Sequence, residues 1–315
     1  MTDEEETTGE GDSRGNRQRF TEAARDERPD LALLCLLIGV EAATVPSGVR
    51  REAGPSAPTE GDERVAGDFG VLDAQIELDR LAGLLPYAST RTPEQWAEAL
   101  RQLLGRELGF GGGPDDYQRL QSSLLQSVLR RRRGLPILLS VVWMEVARRA
   151  GAPVHGVALP GHFVVGFGDP AGGEAGEAGA HTLADPYDGG RLLSATDAEL
   201  LVAGATGARR KLSASMFQPA GPLDIVLRIL NNIRAWAAAR PEHSAVQLWA
   251  LELSLLLPHH PARLRYERAQ LLVERGDFLS GAAEMEEYAE AIGSVEPSVA
   301  DTVRKAAHAA RARLN

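Results

Sequence analysis

The run RRRRGLPILLSVVWMEVARRAGAPVHGVALPGHFVVGF, Arg130 to Phe167, decides the fold. Its first half reads as one start–stop helix over 134–153. Gly134 precedes it, Pro136 sits in its first turn, Arg148 and Arg149 close its last turn, and Gly151 terminates it. It is apolar nearly all round, which marks a central helix rather than a surface one. Its one acid, Glu145, is expected to pair with a local arginine. The second half changes period. VHGVAL (154–159) and HFVVGF (162–167) are short and rich in valine and phenylalanine, as is HTLAD (181–185) further on. These read as three strands of an antiparallel sheet. A low-complexity hairpin loop, 168–180, joins the last two.

Working outward, residues 1–29 are nearly devoid of large apolar side chains and are expected to form a disordered acidic tail. LALLCLLIGVEAA (31–43) reads as a buried helix with Cys35 as a small core hydrophobe. The Pro-, Gly- and charge-rich stretch 44–70 reads as a long loop, and helices are expected near 71–84, 92–108 and 115–133. Thr92 and Pro93 form a strong helix start. The Arg130–Arg133 run ends a helix, where cations complement the dipole; the alternative is a docking site for an acidic or phosphate-bearing partner.

Beyond 222 the pattern is all helix. Ala269, the RGDF turn at 275–278 and a following helix that stops before Pro297 resemble a tetratricopeptide unit. His259 and His260 fall in a turn of this segment and are expected at the surface. VQLWALELSLLL (246–257) reads as core at helical spacing, with an apolar groove for a partner helix as the alternative. Since so few repeats rarely stand alone, the segment is expected to dock on the middle domain.

The chain has 315 residues and a formal charge of 34 − 44 = −10. The acidic balance argues against nucleic acid as the main partner. A lone cysteine excludes an intramolecular disulfide, and no Cys/His spacing suggests zinc. No leader pattern and no apolar run of membrane-spanning length is present, so a cytoplasmic location is expected, without a membrane partner.

Antiparallel pairing sets the start of one strand opposite the end of the next. His162 and Asp185 can therefore be neighbours, with the central helix aiming its N-terminus at them. That is the layout of a Cys–His–Asp triad. At these residues, with DPYDGG (185–190), RLL (191–193), LGF (108–110) and ILNNIRAWA (229–237), the chain resembles the transglutaminase-like SirB family from roughly 28 to 292. The resemblance implies an α+β fold: a papain-like, transglutaminase-type core with an N-terminal helical subdomain, an antiparallel sheet and a C-terminal tetratricopeptide-like segment. The expected divisions are 30–215 for the core and 222–315 for the helical segment.

The resemblance carries the family's His onto His162 and its Asp onto Asp185. The cysteine position falls at or next to Pro136, so no thiol stands there. Ser140 lies one helical turn, about 5.4 Å, further in, too deep to serve His162; its hydroxyl is expected to bond back to its own helix. Arg133, Gly134, Pro136, Ser140, Gly161 and Tyr187 are the candidate binding residues of the cleft. The expected function is a non-catalytic, regulatory module that binds a protein or peptide, with no cofactor and no metal. The alternatives are an amide-bond hydrolase or acyl transferase with a non-cysteine nucleophile, and a structural role. The partner, the pathway and the oligomeric state are left open.

Overall fold

The computed structural model describes residues 3–44, 70–88, 90–169, 181–208 and 211–313. They fall into two compact units. One runs from Arg28–Ala43 on to Ile229, and the other combines the first 27 residues with Leu230–Asn315. The expected loop at 44–70 and the loop joining the second and third strands lie almost wholly outside the described residues.

In the first unit, α2 (Leu31–Thr44) buries Leu34, Cys35, Leu36 and Leu37 as its continuous apolarity requires. α3 (Val71–Gly83) and α4 (Pro93–Leu100) follow. Thr92 and Gln95 close a reciprocal capping box at the start of α4. The helix expected to reach 108 widens into a π-helical segment over Arg101–Glu107. The single helix expected over 115–133 is broken. Two 3-10 turns, Pro114–Gln118 and Leu120–Ser123, precede a short α5, Leu125–Arg131. Asp116 is the cause: its buried carboxylate takes the Gly113 N–H at 2.9 Å and the Ser122 hydroxyl at 3.0 Å, and Arg131 and Arg133 pair with it at 3.4 and 3.3 Å. A continuous helix could not bend back to make those bonds.

The central helix α6 (Pro136–Arg149) is buried along nearly its whole length, with proline at its start. Glu145 is buried and bonded to both Arg148 and Arg149, which satisfies the charge locally. α6 lies against β1 (Val154–Val157) and β2 (Val164–Gly168). β3 (His181–Asp185) and a fourth strand, β4 (Arg191–Leu193), complete an antiparallel sheet in the order β1-β2-β3-β4. β4 has only three residues, too few to show a periodicity. On one face Val157, Val164, Leu183 and Leu193 pack with Ala198 and Val202 of α7 (Ala195–Thr206).

The chain then enters α8 (Pro222–Ala238), within which the division between units falls. The second unit continues with α9 (Ser244–Leu256), α10 (Arg263–Glu274), α11 (Phe278–Ile292) and α12 (Pro297–Ala312). Small residues let α10, α11 and α12 pack closely: Ala269, Ala282, Ala289, Ala300 and Ala307 are all fully buried. His259 is exposed, whereas His260 is partly covered and its Nδ1 lies 3.0 Å from the Leu257 carbonyl.

The expectation of a disordered N-terminal tail is corrected. Asp3–Ala24 is a helix, α1, that buries Phe20 and Ala24. Asn16, Phe20 and Ala24 recur every four residues, so they form one stripe in an otherwise polar stretch. Arg17 of α1 pairs with Glu252 of α9 at 2.8 Å, within the same unit.

Candidate functional site

The segment Leu159-Pro160-Gly161-His162 is a tight turn closed by the His162 N–H donating to the Leu159 carbonyl at 3.2 Å. Proline followed by glycine at positive φ is the signature of a type II turn. Gly161 has φ +72°, and a Cβ there would come within 2.6 Å of the Ala205 side chain. No other residue fits both demands. His162 therefore sits in the turn just before β2, not on the strand itself.

Asp185 is the last residue of β3 and only 1% exposed. The β2–β3 register pairs Val165 with Ala184, so it carries the His162 turn toward the end of β3. His162 Nε2 lies 3.0 Å from Asp185 Oδ1, and both side chains are buried. The same oxygen accepts the Tyr187 N–H at 3.0 Å, so Asp185 also caps the short turn Pro186–Asp188. Asp185 thus holds an imidazole and anchors its own turn at once.

Arg228 braces the turn from α8. Its guanidinium donates to the Leu159 carbonyl at 3.0 Å and the His162 carbonyl at 2.7 Å, and it stands 5.6 Å from the Phe163 ring centre. Burial holds Arg228 below the ordinary arginine pKa.

Two tyrosines stand beside the pair. The Tyr187 ring meets His162 edge-on at 6.0 Å and Tyr117 at 6.2 Å. Tyr187 lies so close over Gly112 that a Cβ there would fall 1.9 Å from the ring. Burial, with Tyr117 and Asp116 adding to it, pushes the Tyr187 hydroxyl up to about 12, while Arg133 opposes the shift. Tyr117 is also raised, by burial first and Asp185 second. Both hydroxyls are therefore neutral donors at physiological pH. Arg133 reaches the site through Asp116, and Tyr117 is half exposed at its edge.

Not all sequence candidates converge here. Ser140 Oγ is buried and donates across to the Phe163 carbonyl at 3.3 Å. The hydroxyl bonds to the segment that follows His162 rather than back along its own helix as expected. Gly134 packs against Val128 rather than offering a ligand-binding surface. Pro136 is the buried first residue of α6 and brings no nucleophile. Cys35 is buried in α2, where desolvation drives its thiol far above the usual range. Within the described residues, Asp185 is the hydrogen-bond partner of the His162 ring, through Nε2. Tyr117, Gly112, Asp116 and Arg228 are contributors that a reading of the sequence overlooks.

A family model described as the transglutaminase-like superfamily matches residues 73–231, and one described as a tetratricopeptide repeat matches residues 233–315. A UPF0162 protein of Xylella fastidiosa is 33% identical over 170 residues, covering 53% of this chain and 58% of its own length. F-box only protein 21 of Mus musculus is 24% identical over 171 residues, covering 54% of this chain and 26% of its own. The chain thus matches somewhat over half the length of the bacterial relative and about a quarter of the mouse one. A crystal structure of menin that reveals its binding site for Mixed Lineage Leukemia (MLL) protein aligns over 90% of this chain and 71% of its own, at 12% identity and a TM-score of 0.39. That likeness is too slight to bear on the fold.

Proposed function

Given that the chain belongs to the transglutaminase-like superfamily, we propose that its His162–Asp185 face is a non-catalytic cleft that binds a segment of a protein or peptide. The carrying observation is a mismatch. The His–Asp half of a thiol triad is buried and hydrogen-bonded, while the chain's single cysteine lies buried in another helix with its pKa driven up. Loss of a triad nucleophile typically costs on the order of a millionfold in turnover. What remains is a recognition surface: two neutral tyrosine hydroxyls, one imidazole and a half-exposed aromatic edge. Tyrosines supply large contact area with few rotors, which suits peptide recognition. The tetratricopeptide-like helices support a protein partner as well. No helix of the described residues is long and apolar enough to cross a membrane. We place the activity in the cytoplasm, acting on another polypeptide as a regulatory contact.

Selection of a displayed peptide library on the intact chain tests this reading. Enriched peptides should lose at least tenfold in affinity with Tyr187→Ala or Tyr117→Ala. Enrichment that survives both substitutions places binding elsewhere. The second reading, an amide-bond hydrolase or acyl transferase, draws on the intact His162–Asp185 geometry. Its mark is amide turnover that His162→Ala abolishes.

A further inference from the structure

We propose that His155 and His181 form a binding site for a divalent transition-metal ion of the zinc class, at the other end of the sheet from His162. The strand register brings them to one face. His155 of β1 pairs with Gly166 of β2, and His181 of β3 pairs with Gly168. Residues two apart on a strand point to the same side, so both imidazoles rise from one face with only glycines between them. The His155 ring leans over that gap: a Cβ on Gly166 would fall 2.4 Å from its Nε2. Phe217 flanks His181 at a ring separation of 6.3 Å.

The second observation is the state of the ring nitrogens. His181 is 7% exposed, and neither of its nitrogens has a hydrogen-bond partner. His155 Nε2 is likewise buried and unpartnered. Most buried polar atoms in folded proteins are paired, and an orphan on a buried imidazole calls for a partner, of which an ion or a water is one kind. Three orphans on two neighbouring rings share one chemistry. Burial, and His181 beside it, hold His155 down at about 4, with Asp169 opposing; burial lowers His181 as well. Both rings are neutral at physiological pH, the form that ligates metal. Imidazole pairs suit zinc, copper and nickel rather than calcium or magnesium, which take oxygen ligands.

No group of three or more His, Cys, Asp or Glu among the described residues is placed to hold a metal. The site therefore offers two protein ligands, and water fills the rest of the shell. Asp169, the residue after β2, is a carboxylate that acts on His155. Such an open shell binds more weakly than a closed four-ligand one and leaves positions free for an incoming donor.

The test is a calorimetric titration of the full-length chain, untagged and treated with chelator, with zinc chloride and separately with magnesium chloride. One zinc ion per chain is expected, with no magnesium uptake. His155→Gln and His181→Gln should each weaken zinc binding by roughly tenfold or more, whereas His259→Gln leaves it unchanged. Thermal melts of each variant separate loss of the ligand from loss of the fold. Should a glutamine variant melt early, ring-proton NMR of the wild-type chain decides instead: zinc must shift the His155 and His181 signals ahead of the other histidines. The proposal fails if the wild-type chain takes up no zinc, or if binding survives both substitutions or perturbs other histidines first.

Discussion

Removing the Asp185 carboxylate is the sharpest perturbation of the site. Its Oδ1 accepts from His162 Nε2 and from the Tyr187 N–H, each at 3.0 Å, and the side chain is buried. Asp185→Ala strands both partners. A buried group left unpaired costs about 1–3 kcal/mol. His162 is buried and takes the full range, while Tyr187 is partly exposed and takes the lower end. The expected loss is about 2–4 kcal/mol, a large share of an ordinary domain's stability. His162→Ala alone should cost about 1–3 kcal/mol, since the carboxylate keeps its bond to Tyr187. The two side chains touch, so the losses must not add. A cycle of the wild type, both single variants and the double variant should give a coupling of about 1.5–3 kcal/mol, as for a hydrogen bond to a charged group. Hydrogen exchange of peptides spanning β2 and β3 reads the opening free energy of this unit apart from the other. A coupling below about 0.5 kcal/mol, the level at which independent sites add, would refute the reasoning.

Other consequences can be measured directly. Tyrosinate absorbance should show its latest transition near the value of about 12 to which Tyr187 is raised, and Tyr187→Phe should delete it. A tyrosine held above its unfolded value favours the protonated folded state. That stabilisation is complete below the unfolded tyrosine pKa, about 10, and should be lost as pH climbs from there toward the folded value. An unchanged late transition in the phenylalanine variant would misassign the group. Gly161→Ala should destabilise the unit by about 1–2 kcal/mol from its left-handed φ alone, with more from contact with Ala205; a neutral result in a melt would mean that the turn is not held as described. Cys35 should resist a thiol reagent in the native chain and react only on unfolding, because a buried, protonated thiol is inert. Rapid native labelling would contradict its burial.

Much of this fold can be read from particular residues. Gly134, Pro136, Arg149 and Gly151 delimit the central helix, and the change from helical to strand composition after Pro153 announces the sheet. His162 and Asp185 can be paired from strand order alone. Other features leave no local mark. The N-terminal helix hides because Asn16, Phe20 and Ala24 form a sparse buried stripe in a polar stretch of sequence. The stretch 115–133 looks helical by composition, yet Asp116 captures backbone and side-chain donors that a helix would have used elsewhere. Arg228 is indistinguishable in sequence from any arginine on an amphipathic helix, and only packing reveals that it grips the turn of His162. His155 and His181 escape any search for metal-ligand spacing because they lie on different strands. It is the register across Gly166 and Gly168 that brings them to one face.

The central claim is binding without turnover. Mass spectrometry of a library-selected peptide, held for many hours with stoichiometric protein, tests it most directly. The account predicts a bound peptide recovered at its original mass, with affinity that falls in His162→Ala and Tyr187→Ala. Cleavage, deamidation or acyl transfer on that peptide, abolished by His162→Ala, would contradict it and make the pair a working catalytic dyad.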